Sequence, residues 1–181
     1  RLLAWLEDGW RRPDAGIWEV RGPYRHFTHS KVMAWVAFDR AVRIHEEFGR
    51  DGPVDRWIAL RDEVRAEVLD RGWSTTKRCF TQSYDSDELD ASALVIPLVG
   101  FLPADDERIV STVDAIRREL TVDGLLLRYR SRTDGAVDGL PPGEGVFLPC
   151  SFWLAEVLAR QGRVEEAREL FERLLDIRND V

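Results

Sequence analysis

The sequence predicts an all-α fold in which helical hairpins form two layers, a partial α/α toroid of about three hairpins. Three observations carry this. Segments that are apolar on nearly every side alternate along the chain with segments that are apolar on one stripe only. Strand patterning is weak, and 125–130 (Leu-Leu-Leu-Arg-Tyr-Arg) is the single plausible short strand. Long turn-rich loops precede the apolar segments, whereas short ones precede the striped segments. A helix apolar all round needs protein on every side, and a striped helix has one face in water. Their alternation implies an inner and an outer layer, with the long loops collected at one end, where a site would form.

Taken in order, residues 1–10 read as a helix tail, with Leu2, Leu3, Trp5 and Leu6 ahead of Gly9. Pro13, Gly16, Gly22 and Pro23 then break the chain into a loop. A helix over 28–48 carries Val32, Met33, Trp35, Val36, Phe38, Val42 and Ile44 around its whole circumference, as an inner helix would. The segment 55–71 is its outer partner, with Trp57, Leu60, Val64 and Val68 on one stripe. The second pair is predicted at 88–99, where Pro97 kinks or ends the helix, and at 105–120, striped at Ile109, Val113, Ile116 and Leu120. A turn-rich stretch over 121–148 leads to the third pair. Its inner helix is 149–160, Gly162 breaks the chain, and its outer helix is 163–177.

Composition bounds the function. The 181 residues have a mass of 20.9 kDa and are 44% hydrophobic and 33% charged, values of a globular domain with a buried core. A net charge of −7 and a pI near 5.1 argue against nucleic acid as the main partner. No stretch approaches the roughly 18 apolar residues that a membrane-crossing helix needs, so no membrane partner is expected. Cys79 and Cys150 are too few for a disulfide framework, and the expected compartment is the cytoplasm. The chain opens on Arg1 within a helical pattern rather than on Met, which reads as a fragment. Seven tryptophans suit either a core or stacking surfaces for a flat ligand such as a sugar.

The loop over 14–31 concentrates Trp, Tyr, His, Arg and carboxylate side chains. Trp18 beside Glu19 stands out. A general acid at neutral pH needs a carboxyl whose charged form is disfavoured, and an aromatic wall removes solvent from it. Arg21 and neighbouring residues could donate to sugar hydroxyls. The alternative is that Glu19 pairs with Arg21 or Arg25 and the aromatics only pack. Glu144 lies between glycines ahead of an apolar helix, either as a ligand-facing carboxylate or as a carboxylate favouring a helix N-terminus. His26-x-x-His29 lacks third and fourth ligands at suitable spacing, so no metal and no cofactor is expected. Cys79 and Cys150 read as small buried residues. The acidic run Asp85, Asp87, Glu88 and Asp90 reads as helix capping.

Four stretches carry a resemblance. They are Pro-Asp-Ala-Gly-Ile-Trp-Glu-Val-Arg-Gly (13–22), Arg-His-Phe-Thr-His-Ser-Lys-Val-Met-Ala-Trp-Val-Ala-Phe-Asp-Arg-Ala (25–41), Leu-Asp-Ala-Ser-Ala-Leu-Val-Ile-Pro-Leu-Val-Gly-Phe-Leu-Pro (89–103) and Glu-Gly-Val-Phe-Leu-Pro-Cys-Ser-Phe-Trp-Leu (144–154). In this order they resemble family 15 of the glycoside hydrolases, which holds glucoamylases, glucodextranases and bacterial or archaeal trehalases. The resemblance implies inverting hydrolysis of α-glucosidic bonds on a toroid of six helical hairpins. Residues 1–181 would then be the C-terminal half of the catalytic domain. Glu19 would be the general acid, and Trp18 would shape the subsite for the reacting glucose. Arg128 and Tyr129 resemble an Arg-Tyr pair facing that glucose. Arg21 and Glu144 would also bind substrate, with Glu144 as the competing assignment for the base. The family's general base is expected a few residues beyond Val181, so this chain would carry the acid without the base and be inactive alone. The implied partners are a disaccharide or oligosaccharide substrate and the rest of the same enzyme, or a second copy covering exposed inner helices. A second reading comes from 162–175, which is like one half of a tetratricopeptide hairpin and would suit a non-catalytic helical-repeat scaffold.

Overall fold

The computed structural model describes residues 1–130 and 145–177. Glu144 and much of the turn-rich stretch before it lie outside the described residues. Seven α-helices are present among them: α1 (Leu2–Gly9), α2 (Thr28–Phe48), α3 (Val54–Arg71), α4 (Val95–Leu98), α5 (Glu107–Leu120), α6 (Leu148–Arg160) and α7 (Val164–Asp176).

The two layers are as the patterning requires. In the inner row, α2, the short segment 91–98 and α6 pack side by side. The outer row follows: α3 packs on α2, α5 on the 3-10 turn at the start of 91–98, and α7 on α6. The region like a tetratricopeptide half is therefore the outer partner of α6. Phe38, Leu94, Ile96, Ile116 and Val157 lie in the core between the rows, each no more than 1% exposed. No helix among the described residues is long and apolar enough to cross a membrane.

Two expectations are corrected. The second inner element is not a full helix. Asp90 caps a 3-10 turn, Ala91–Leu94, by accepting the backbone N–H of Ser92, and a single α-turn follows. Pro97 is tolerated there because the first helical turn has no partner for its N–H in any case, and Gly100 then turns the chain away. Nor is α2 enclosed on all sides. Met33, Ile44 and Phe48 are exposed, because α1, α3 and the 91–98 segment cover only part of its circumference.

Strand content is confined to short pairs among the described residues. Thr121–Val122 pairs antiparallel with Leu125–Leu126, and only the latter two residues fall in the 125–130 stretch that the sequence offered as a strand. Trp73–Ser74 pairs with Cys79–Phe80 in a hairpin that the sequence did not announce. Isolated bridges join Asp14 to Arg25, Phe27 to Ser83 and Asp90 to Tyr129. These bridges sew the three long loops together at one end of the inner row. That is what places residues 18, 90 and 128 near one another.

Candidate active site

The turn bearing Trp18 and Glu19 is built from its base upward. Asp14 and Arg25 exchange backbone hydrogen bonds of 2.9 and 3.0 Å and close the loop. The Asp14 carboxylate accepts from the Gly16 N–H at 2.6 Å and from the Ser30 hydroxyl at 2.8 Å, which ties the loop to the first turn of α2. Val20 donates to the Ala15 carbonyl at 2.9 Å, and Glu19 donates its N–H to the Gly16 carbonyl at 3.2 Å. Glu19 sits at the tip with φ +50°, in the left-handed region that a side chain other than glycine seldom occupies. Such backbone strain clusters at functional positions.

Trp18 and Glu19 diverge from this tip. The Trp18 indole turns inward and packs against the core, while Glu19 is exposed. Trp18 stacks on Trp153 of α6 at 6.3 Å between ring centroids and 30° between planes. It meets Phe147 edge-on at 5.5 Å. The Arg128 guanidinium lies 5.1 Å from the centre of the Trp18 ring and 5.3 Å from that of Tyr129. Trp18 Nε1 donates to both oxygens of Asp90, at 3.1 and 2.9 Å.

The predicted residues thus fall into groups. Trp18, Arg128 and Tyr129 are brought together. Glu19 and Arg21 are exposed, and Glu19 makes no ion pair with Arg21 or Arg25 among the described residues. Glu144 lies outside the described residues.

Four further residues join the group. Trp153 and Phe147 complete the aromatic cluster around Trp18. Asp90 does cap a helical turn, as the acidic run suggests, but it also holds Trp18. Gln82 Nε2 donates to Asp90 Oδ2 at 2.8 Å. No local signal links Gln82 to the site, since its partner is reached only through the bridge pattern of the loops.

His29 is half-buried nearby. Burial pushes its pKa below the ordinary histidine value, against the opposing pull of Asp90 and Asp14. Among the described residues no three His, Cys, Asp or Glu side chains come together in a way that could hold a metal ion. The groups assembled here are aromatic rings, a guanidinium and, on the next residue of the turn, an exposed carboxyl, which are able respectively to stack, to donate hydrogen bonds and to transfer a proton.

The chain belongs to the glycosyl hydrolases of family 15, whose family model matches residues 1–179. Within that family it is similar to proteins named trehalase. It is 50% identical over 167 residues to the trehalase of Mycobacterium tuberculosis, covering 92% of this chain and 24% of that one. It is 40% identical over 179 residues to the trehalase of Thermoplasma volcanium, covering 99% of this chain and 28% of that one. The chain therefore spans about a quarter of the length of these curated relatives. Among solved structures, a glycosidase variant in complex with glucose superposes with a TM-score of 0.79 at 20% identity, over 99% of this chain and 44% of that one. That likeness establishes the fold, which is the six-hairpin toroid, here represented in part.

Proposed function

We propose that the protein containing this chain hydrolyses the α-glucosidic bond of trehalose with inversion of configuration. Glu19 protonates the leaving oxygen, while a second carboxyl activates water on the opposite face of the ring. In inverting chemistry the two carboxyls stand roughly 6.5–9.5 Å apart, to leave room for that water. The observation that carries the reading is the meeting of Trp18, Arg128 and Tyr129, from two distant loops, beside the strained turn that presents Glu19. A stacking wall and a hydroxyl donor next to a carboxyl suit a sugar ring whose bond is being protonated. Trehalose is favoured over other α-glucosides because the similar curated proteins are named trehalases.

In this reading the general base comes from outside this chain, and Arg21 and Glu144 contact substrate. Residues 1–181 form the C-terminal half of the catalytic domain. The remaining hairpins cover Met33, Ile44 and Phe48 at one edge and Phe152, Val164 and Phe171 at the other, all of them exposed here.

Proton NMR of fresh product tests the mechanism. Inversion at trehalose releases one glucose as the β-anomer and the other as the α-anomer, whereas retention releases α alone. Glu19→Gln in the full-length protein is expected to abolish turnover, and undiminished activity overturns its assignment as the acid. Glucose release from trehalose by the isolated 181-residue chain overturns the external base.

A further inference from the structure

Asp90 is 2% exposed, and among the described residues its side-chain hydrogen bonds reach beyond its own turn to Trp18 and Gln82. One oxygen accepts the Ser92 N–H at 2.7 Å, the other accepts Gln82 Nε2 at 2.8 Å, and both accept the Trp18 indole N–H. The backbone at the same position faces the other wall. Residue 90 bridges to Tyr129, and the Ala91 N–H donates to the Arg128 carbonyl at 2.8 Å. A helix cap needs only the bond to Ser92. The contacts to Trp18, 72 positions away in sequence, and to Gln82 exceed that need.

We propose that Asp90 is a positioning residue: it sets the spacing between the Trp18–Glu19 turn and the Arg128–Tyr129 wall, and so aims the general acid. This rests on the reading of Glu19 as the acid. Rotation of the indole is blocked while its N–H is shared between two carboxylate oxygens, and Glu19 is the next residue along the same strained turn. A displacement of about 1 Å at such a turn can cost on the order of a hundredfold in rate.

Asp90→Asn is the conservative perturbation. Its oxygen, in the place of Oδ1, keeps the cap to Ser92 and the 3.1 Å indole bond, while its amide puts a donor where Oδ2 accepted the indole at 2.9 Å. Gln82 can adapt by flipping, since its Oε1 has no partner and can accept from the new amide. The loss is therefore confined to the shared indole bond.

The full-length enzyme is assayed with two substrates, trehalose and α-glucosyl fluoride. Fluoride leaves without a proton, so a fault in acid positioning slows trehalose and largely spares the fluoride. Asp90→Asn is expected to lower kcat on trehalose roughly ten- to a hundredfold, with KM little changed, and the fluoride by less than about threefold. Trp18→Phe removes the donor together with the fused pyrrole ring, so KM should rise with the lost stacking surface while the ratio of the two kcat losses is reproduced, and the double variant should have a kcat no lower than Trp18→Phe alone. It also carries the test if Asp90→Asn does not fold. Equal losses on both substrates, unchanged activity, or additive losses in the double variant overturn the proposal. Glu19→Gln, run beside them, separates the two ideas. If it spares trehalose the acid assignment fails. If it alone shows the fluoride-sparing pattern, only the role of Asp90 fails.

Discussion

Gly16→Ala should damage the site from the base of the turn that carries Trp18 and Glu19. Gly16 has φ +70°, in the left-handed region, where an L-residue costs about 1–2 kcal/mol. A methyl group there would also stand 2.9, 3.0 and 3.1 Å from three ring carbons of Phe27, closer than carbon atoms pack. Phe27 is 3% exposed and precedes the first turn of α2, so its ring has no room to withdraw. Overpacking of this kind costs about 1–3 kcal/mol. The two effects together amount to about 2–5 kcal/mol, a large part of the 5–15 kcal/mol that holds a typical domain. The chain can escape only by lifting the loop, which moves Trp18 and Glu19 with it, so kcat/KM on trehalose should fall tenfold or more. Gly49→Ala is the internal control. Its φ is +61°, and a methyl there meets nothing within 4 Å, so it carries the backbone cost alone. Chemical denaturation and steady-state kinetics of both variants in the full-length protein decide the matter. If Gly16→Ala is no more destabilising than Gly49→Ala, or leaves kcat/KM intact, the reasoning is refuted.

Three other outcomes are expected. Lys31 is 1% exposed and donates to the carbonyls of Trp10 and Arg12, stapling the end of α1 and the start of the loop that follows it to α2. Lys31→Met keeps the length but strands both carbonyls, so it should cost about 1–3 kcal/mol in denaturant, partly offset by no longer burying an ammonium. His29 has a pKa lowered by burial, so the unfolded chain takes up its proton at a higher pH than the folded one. Stability should therefore fall as the pH drops below the ordinary histidine value near 6.5, and His29→Gln should flatten that slope in unfolding measured from pH 7 to 5. Burial pushes the thiol of Cys79 up to about 11 and that of Cys150 up to about 12. Alkylation at pH 8 followed by peptide mass analysis should find both unmodified in the native protein and both modified in denaturant.

Much of the architecture was legible locally. Apolar periodicity predicted α2, α3, α5, α6 and α7 close to their observed limits, because the face a helix buries is written in residues three and four apart. The contrast between all-round and one-sided apolar helices announced the two layers for the same reason. The 88–99 stretch was overread as a helix because its apolar content is high. Its length is decided by the Asp90 cap and by Pro97, which shorten it to a 3-10 turn and one α-turn. Exposure along α2 was also beyond periodicity, since a pattern shows that a face is apolar but not which neighbour covers it.

Trp18 beside Glu19 could be singled out from residue types alone, because stacking and proton transfer each need a particular side chain. The tertiary structure decided what surrounds them. Trp153 stacks on Trp18 from α6, Arg128 lies over it from a loop more than a hundred residues away, and Asp90 grips its indole. None of these partners has a signature of its own: a helix-face tryptophan reads as core, and an aspartate before a turn reads as a cap. Sequence therefore determined the family, the helical layers and the chemistry available. Folding determined which groups meet, because the bridges that join the long loops at one end of the inner row depend on contacts no local pattern encodes.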